Sequence, residues 1–136
     1  MGNDIEYILD ACTIVHFLRG KPPVVEKIMN IDRNKTYITP ITIAEAYFGM
    51  INVPKSGYED MRKMIDEFGV IPINSIVAMK HAELKCAAKI TGCEYDMDLW
   101  MVAFCEITGA KLLTTDAKLR NRLKHVANNI EVIEIK

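Results

Sequence analysis

Acidic side chains stand where apolar runs stop or break. Asp10 closes Tyr7-Ile8-Leu9, Asp116 closes Leu112-Leu113-Thr114-Thr115, and Glu45 interrupts the apolar segment from Ile41 to Met50. Asp96 and Asp98 run straight into Leu99-Trp100-Met101-Val102-Ala103-Phe104-Cys105. Taken singly, the last pair is ordinary. Asp is a preferred N-cap residue, and the segment behind Asp98 has helical length and stops at Gly109. Taken together, four segments each bring a carboxylate to the end or the middle of an apolar stretch, which points to one shared acidic pocket. Such a pocket is costly: two unit charges about 4 Å apart at an effective dielectric of about 20 repel by about 4 kcal/mol. It persists only if a cation occupies it or some of the acids stay protonated. Oxygen ligands from a few carboxylates, with room left for water and a substrate phosphate, suit Mg²⁺ or Mn²⁺. The chemistry this implies is metal-dependent hydrolysis of a phosphate ester.

The elements that must present these acids alternate between strand and helix. Ile5–Leu9 reads as a buried parallel strand, Ala11–Leu18 as a helix stopped by Gly20, and Pro22-Pro23 as the first turn of a second helix reaching about Met29. That second helix is expected to turn Val24, Val25, Ile28 and Met29 inward. Asp32–Lys35 is a polar turn, Thr36–Thr39 a strand ending at Pro40, and Thr42-Ile43-Ala44-Glu45 a capping box opening a third helix. Residues 52–57 read as a loop, and Tyr58–Phe68 as an amphipathic helix closed by Gly69. Val70-Ile71-Pro72-Ile73 is a short strand that Pro72 assigns to a sheet edge. Ser75 caps a helix from Ile76 to about Ile90, and the helix behind Asp98 follows. Leu112–Thr115 is a strand, Ala117–Val126 a basic helix, and Ile130–Ile135 a final alternating strand. The alternation predicts an α/β fold, a mainly parallel five-stranded sheet flanked by helices in three layers. Ligands of such sheets gather beyond the carboxyl ends of the strands, at the switch point in strand order. Asp10 and Asp116 both lie at such ends.

Composition narrows the classes. A chain of 136 residues, 50% hydrophobic and 26% charged, fits one globular domain spanning 1–136 rather than a disordered segment. No apolar run approaches the ~20 residues of a membrane span. The first residues lack the basic-then-apolar pattern of a secretory signal, and Glu6 stands where a myristoylation motif wants Ser or Thr. Cys12, Cys86, Cys93 and Cys105 form no Cys-x-x-Cys pair, so they read as reduced thiols of a cytoplasmic protein rather than zinc ligands. A net charge of −1 supplies no bulk attraction for nucleic acid, so any polyanion must be held by a local patch and metal ions.

Four motifs then carry a resemblance. Ile8-Leu9-Asp10-Ala11-Cys12, Ile41-Thr42-Ile43-Ala44-Glu45, Asp96-Met97-Asp98-Leu99-Trp100-Met101-Val102-Ala103 and Gly109-Ala110-Lys111-Leu112-Leu113-Thr114-Thr115-Asp116 occur in this order. In order and spacing they resemble PIN-domain ribonucleases, most closely the toxins of VapBC toxin–antitoxin systems. The resemblance implies an Mg²⁺- or Mn²⁺-dependent endoribonuclease whose catalytic, metal-binding quartet is Asp10, Glu45, Asp98 and Asp116. It implies that Asp10 and Asp98 are the most direct ligands, with Glu45 and Asp116 acting partly through water. Thr114 would orient an acid by hydrogen bonding, and Asp96 would be an outer acid or a cap. It further implies an RNA substrate, a small VapB-like antitoxin partner and a homodimer. Trp100 and Leu119 depart from the residues usual in the family, an aliphatic residue and Phe, without touching the acids.

The basic run Lys118, Arg120, Arg122, Lys124 is either a solvated helix face or a phosphate contact, given its place directly behind Asp116. Cys12 reads as a packed small residue rather than a nucleophile. His16, His81 and His125 are scattered, with no nucleophile partner. Tyr47, Phe48 and Met50 fit a core, a base-stacking platform or a dimer face. A PIN nuclease in RNA processing without an antitoxin, and a non-catalytic RNA-binding PIN module, are the alternatives; the intact acid set argues against the second. Haloacid-dehalogenase-like phosphatases need Asp-x-Asp after the first strand, where this chain has Asp10 and Cys12. Response-regulator receivers need an acidic pair there.

Overall fold

The structure, a computed structural model, describes residues 4–51 and 57–135. The expectations for residues 1–3, and for the loop over 52–56, lie outside the described residues. Among those described, the elements are β1 (Tyr7–Leu9), α1 (Ala11–Leu18), α2 (Pro22–Asn30), a 3-10 turn (Arg33–Lys35), β2 (Thr36–Tyr37) and α3 (Pro40–Met50). They continue with α4 (Gly57–Phe68), α5 (Ser75–Ala87), α6 (Asp96–Thr108), β3 (Lys111–Thr114), α7 (Ala117–Leu123) and β4 (Ile130–Val132). No helix among the described residues is long and apolar enough to cross a membrane.

The sheet is parallel throughout, in the order β2-β1-β3-β4. The chain leaves β1 for β2 on one side and returns to β3 on the other, so the switch point lies between β1 and β3. Side chains alternate across the sheet as the pleat requires. Ile8 and Leu112 face a core built with α5, α6 and α7, while Tyr7, Leu9 and Leu113 face a second core built with α1–α4. Helices thus cover both faces and bury the strands, giving three layers.

Four strands form where five were expected, and the fifth survives as a single bridge between Ile38 and Val70. Ile38 donates to the Gly69 carbonyl at 3.1 Å and accepts from the Ile71 N–H at 2.9 Å. The next donor in this register would be the N–H of residue 40, which is a proline that opens α3. The ladder therefore stops. Pro72 alternates with the donor Ile71 and turns its missing N–H away from β2, as an edge proline must.

Several helix ends differ from expectation by a residue or a turn. α3 is capped by Thr39, whose hydroxyl accepts from the Thr42 N–H at 3.2 Å, with Pro40 in the first turn. Thr42 is thereby inside the helix and Glu45 is not a capping-box partner. Asn74, not Ser75, caps α5 by accepting from the Val77 N–H at 3.0 Å. In α2 Val24 and Ile28 are buried, but Met29 is 65% exposed, because a short helix buries only one stripe. Pro22 and Pro23 do open that helix. α5, α7 and β4 end earlier than expected, at Ala87, Leu123 and Val132.

Candidate active site

β1 and β3 run side by side in the register Leu9–Leu113, so Asp10 and Thr114 emerge together at the carboxyl end of the sheet. Asp10 is buried, 2% exposed, and caps α1 by accepting from the Thr13 N–H at 2.9 Å. Its other oxygen accepts from the Thr114 hydroxyl, and the Thr114 oxygen in turn accepts from the Asp116 N–H at 3.1 Å. One threonine thus ties two of the acids together. Burial raises the Asp10 carboxyl above the usual carboxylate range, against the opposing pull of its hydrogen bonds.

Asp98 faces the same crevice from α6. The helix starts at Asp96, with Tyr95 in the left-handed region (φ 53°) as its cap residue and no side-chain capping bond. Asp98 is therefore free of the capping role its sequence position suggested. Its pKa is raised to about 7, first by burial and then by the charges of Asp10, Glu45 and Asp116. Glu45 is raised by burial and by Asp10. The charges of Asp10, Glu45 and Asp116 thus all reach Asp98. What aims Glu45 is Thr42, one turn back, whose hydroxyl donates to the Leu9 carbonyl at 3.0 Å and so pins α3 to the end of β1.

Asp116 caps α7 by accepting from the N–H groups of Lys118 and Leu119 at 3.0 and 3.3 Å. Leu119 and Leu123 anchor that helix in the core, while Lys118 and Arg120 are exposed and Arg122 pairs with Glu94 at 3.5 Å. Asp96 turns the other way. It meets His81 Nε2 at 3.2 Å and Lys85 Nζ at 3.3 Å, both on α5.

The donor set fits a hard divalent cation. It is all carboxylate oxygen, and burial and repulsion leave it short of positive charge. Among the described residues, no three such side chains are drawn together closely enough to hold an ion as they stand.

Other residues of the site were not legible as such. Cys12 donates to both Asp10 oxygens at 3.3 and 3.2 Å, and accepts from the Thr115 hydroxyl at 3.1 Å. Thr115 also meets His16 Nδ1 at 3.3 Å, so a hydrogen-bonded chain links the buried acid to a helix-α1 histidine. Burial and the Asp10 charge push the Cys12 thiol up to about 11, which keeps it a neutral donor and not a thiolate. The partners lie about a hundred residues apart in sequence, and only strand pairing unites them. All four cysteines are free thiols.

The family model described as PIN domain matches residues 7–124. A search of curated proteins finds no match. Among solved structures, a toxin–antitoxin complex from Klebsiella pneumoniae is similar with TM-score 0.78 at 16% identity, covering 96% of this chain and 100% of that one. DNA-bound VapBC from Salmonella typhimurium gives 0.76 at 19% identity, covering 94% and 98%. VapBC-1 from nontypeable Haemophilus influenzae gives 0.73 at 18%, covering 94% and 98%.

Proposed function

The chain belongs to the PIN-domain family, and from that premise we propose that it is a Mg²⁺- or Mn²⁺-dependent endoribonuclease, the toxin of a toxin–antitoxin pair. The observation that carries this reading is the half-buried Asp98 at a crevice beside the switch point of a parallel sheet, its carboxyl raised to about 7 first by burial and then by the charges of Asp10, Glu45 and Asp116. Asp10 and Asp98 would hold the ion most directly, and Glu45 and Asp116 would complete its shell partly through water. The ion, when bound, supplies charge neutralisation at the phosphodiester and a water acidic enough to give hydroxide near neutral pH.

The chain's own groups do the rest. Thr114 fixes the Asp10 carboxylate by donating to it, so that one oxygen keeps a set direction. Glu45 and Asp116 would orient the attacking water. Lys118, Arg120 and Arg122 on α7 would steady the RNA phosphates, and Asp96 would act from outside by holding the first turn of α6. The antitoxin, a small VapB-like protein, is supported by the shared fold of this chain and of chains from solved toxin–antitoxin complexes. A homodimer, a cytoplasmic setting and a single domain over 1–136 complete the proposal.

The test is cleavage of a structured RNA by purified protein in Mg²⁺, in Mn²⁺ and in chelator. Metal-dependent internal cuts are expected, reduced by a hundredfold or more in Asp10→Asn and Asp98→Asn. Cleavage that persists in chelator, or wild-type activity retained in both variants, would contradict the proposal.

A further inference from the structure

An open cleft of about 380 Å³ lies beside Glu45, between α3 and α6, lined by Ala44, Glu45, Phe48 and Met97. Phe48 is 81% exposed and Met97 44% exposed. On α3, Ala44 and Phe48 are one turn apart and Glu45 and Phe48 three residues apart, so they share a helix face. Met97 immediately precedes Asp98. The two large apolar side chains of this cleft therefore share it with Glu45, and Met97 adjoins Asp98 in sequence.

We propose that this cleft is a nucleobase subsite, in which Phe48 stacks on an unpaired base next to the phosphate held at the acids, with Met97 as its opposite wall. The proposal rests on the nuclease reading and deepens it by naming Phe48 as the residue that positions a base of the substrate. A base in a continuous duplex keeps its faces stacked on its neighbours and offers none to Phe48. Charge supports the assignment. With a net charge of −1 and an acidic site, the chain has no bulk attraction for RNA, so stacking must contribute affinity that charge does not. A second copy of this chain fits the cleft less well. Its apolar surface would strip water from the Glu45 carboxylate that forms one wall, whereas a base edge brings polar groups of its own.

The experiment is equilibrium binding of RNA oligonucleotides carrying 2-aminopurine at successive unpaired positions, in Ca²⁺, to wild type, Phe48→Ala and Phe48→Trp. Light scattering of each protein runs alongside. Quenching at one position in wild type is expected, retained in Phe48→Trp and lost in Phe48→Ala, with roughly 5- to 150-fold weaker binding. A fully paired duplex should show no Phe48 dependence. Unchanged RNA affinity in Phe48→Ala would overturn the proposal, as would wild type that fails to bind, or a loss of dimer with RNA binding per protomer intact. Phe48 is exposed, so its removal leaves the fold in place. Phe48-dependent quenching without any metal-dependent cleavage would retire the nuclease reading and keep the subsite. Cleavage of unpaired RNA with unchanged kcat/KM in Phe48→Ala would do the reverse.

Discussion

Burial and the neighbouring acids raise the Asp98 carboxyl from its ordinary value of 3.8 to about 7 in the folded chain. Between those values the folded state binds more protons than the unfolded one, so stability is greatest at low pH and falls as pH rises through about 7. Asp10 and Glu45 are raised as well and add to the same slope. Denaturant unfolding in chelator should therefore give a stability at pH 8 lower than at pH 5 by a few kcal/mol. Asp98→Asn should flatten that slope and be more stable than wild type at pH 8; a variant less stable at both pH values would mean that Asp98 serves the fold. Thr114 makes a separate prediction. Thr114→Val removes the donor to Asp10 and the acceptor for the Asp116 N–H, leaving buried groups unpaired. A loss of about 1–3 kcal/mol is expected in the same unfolding measurement.

At the scale of elements, the position of Asp98 depends on how α6 begins. That helix has no side-chain cap and starts from a left-handed Tyr95, a conformation that persists only when its surroundings enforce it. The enforcement comes from α5. His81 stacks on Trp100 with ring centroids 4.3 Å apart, and its Nε2 lies 3.3 Å from the Asp96 carbonyl, while Lys85 meets the Asp96 carboxylate. His81→Ala should cost about 1–3 kcal/mol and weaken the metal response, with His81→Gln recovering part of both, read by unfolding with and without Mg²⁺. An unaltered metal response would confine His81 to packing. The same element shows what the sequence could and could not reveal. The acids at strand ends were readable, because an apolar run that stops at Asp10 or Asp116 marks both a strand and its carboxyl end. Helix starts were readable only to within a turn: the caps fall at Thr39 rather than Thr42 and at Asn74 rather than Ser75, and Pro40 sets the first of these by opening α3. Pro40 likewise reduced the fifth strand to a bridge, an effect that depends on the register of a partner thirty residues away. The Cys12–Thr115–His16 chain, made by pairing β1 with β3, had no local signal at all.

For the whole molecule, two cores on either face of a parallel sheet hold the strand ends behind which Asp10 and Asp116 follow at the switch point, in a chain of nearly balanced charge. RNA affinity should therefore depend weakly on salt. If Lys118, Arg120 and Arg122 supply the phosphate contacts, the slope of log K against log salt should be about −2. A much steeper slope would mean a larger basic footprint than α7 offers. We propose that Asp10, Glu45, Asp98 and Asp116 form one site for a divalent cation. The most direct test is the thermal midpoint of the protein at pH 8, measured in chelator and across a titration of Mg²⁺ or Mn²⁺, beside Asp98→Asn. A midpoint that rises with metal in the wild type, rises less at pH 5, and barely responds in Asp98→Asn is the expected result. A midpoint indifferent to both ions, with Asp98→Asn simply less stable, would contradict the shared site and leave Asp98 as a structural residue of α6.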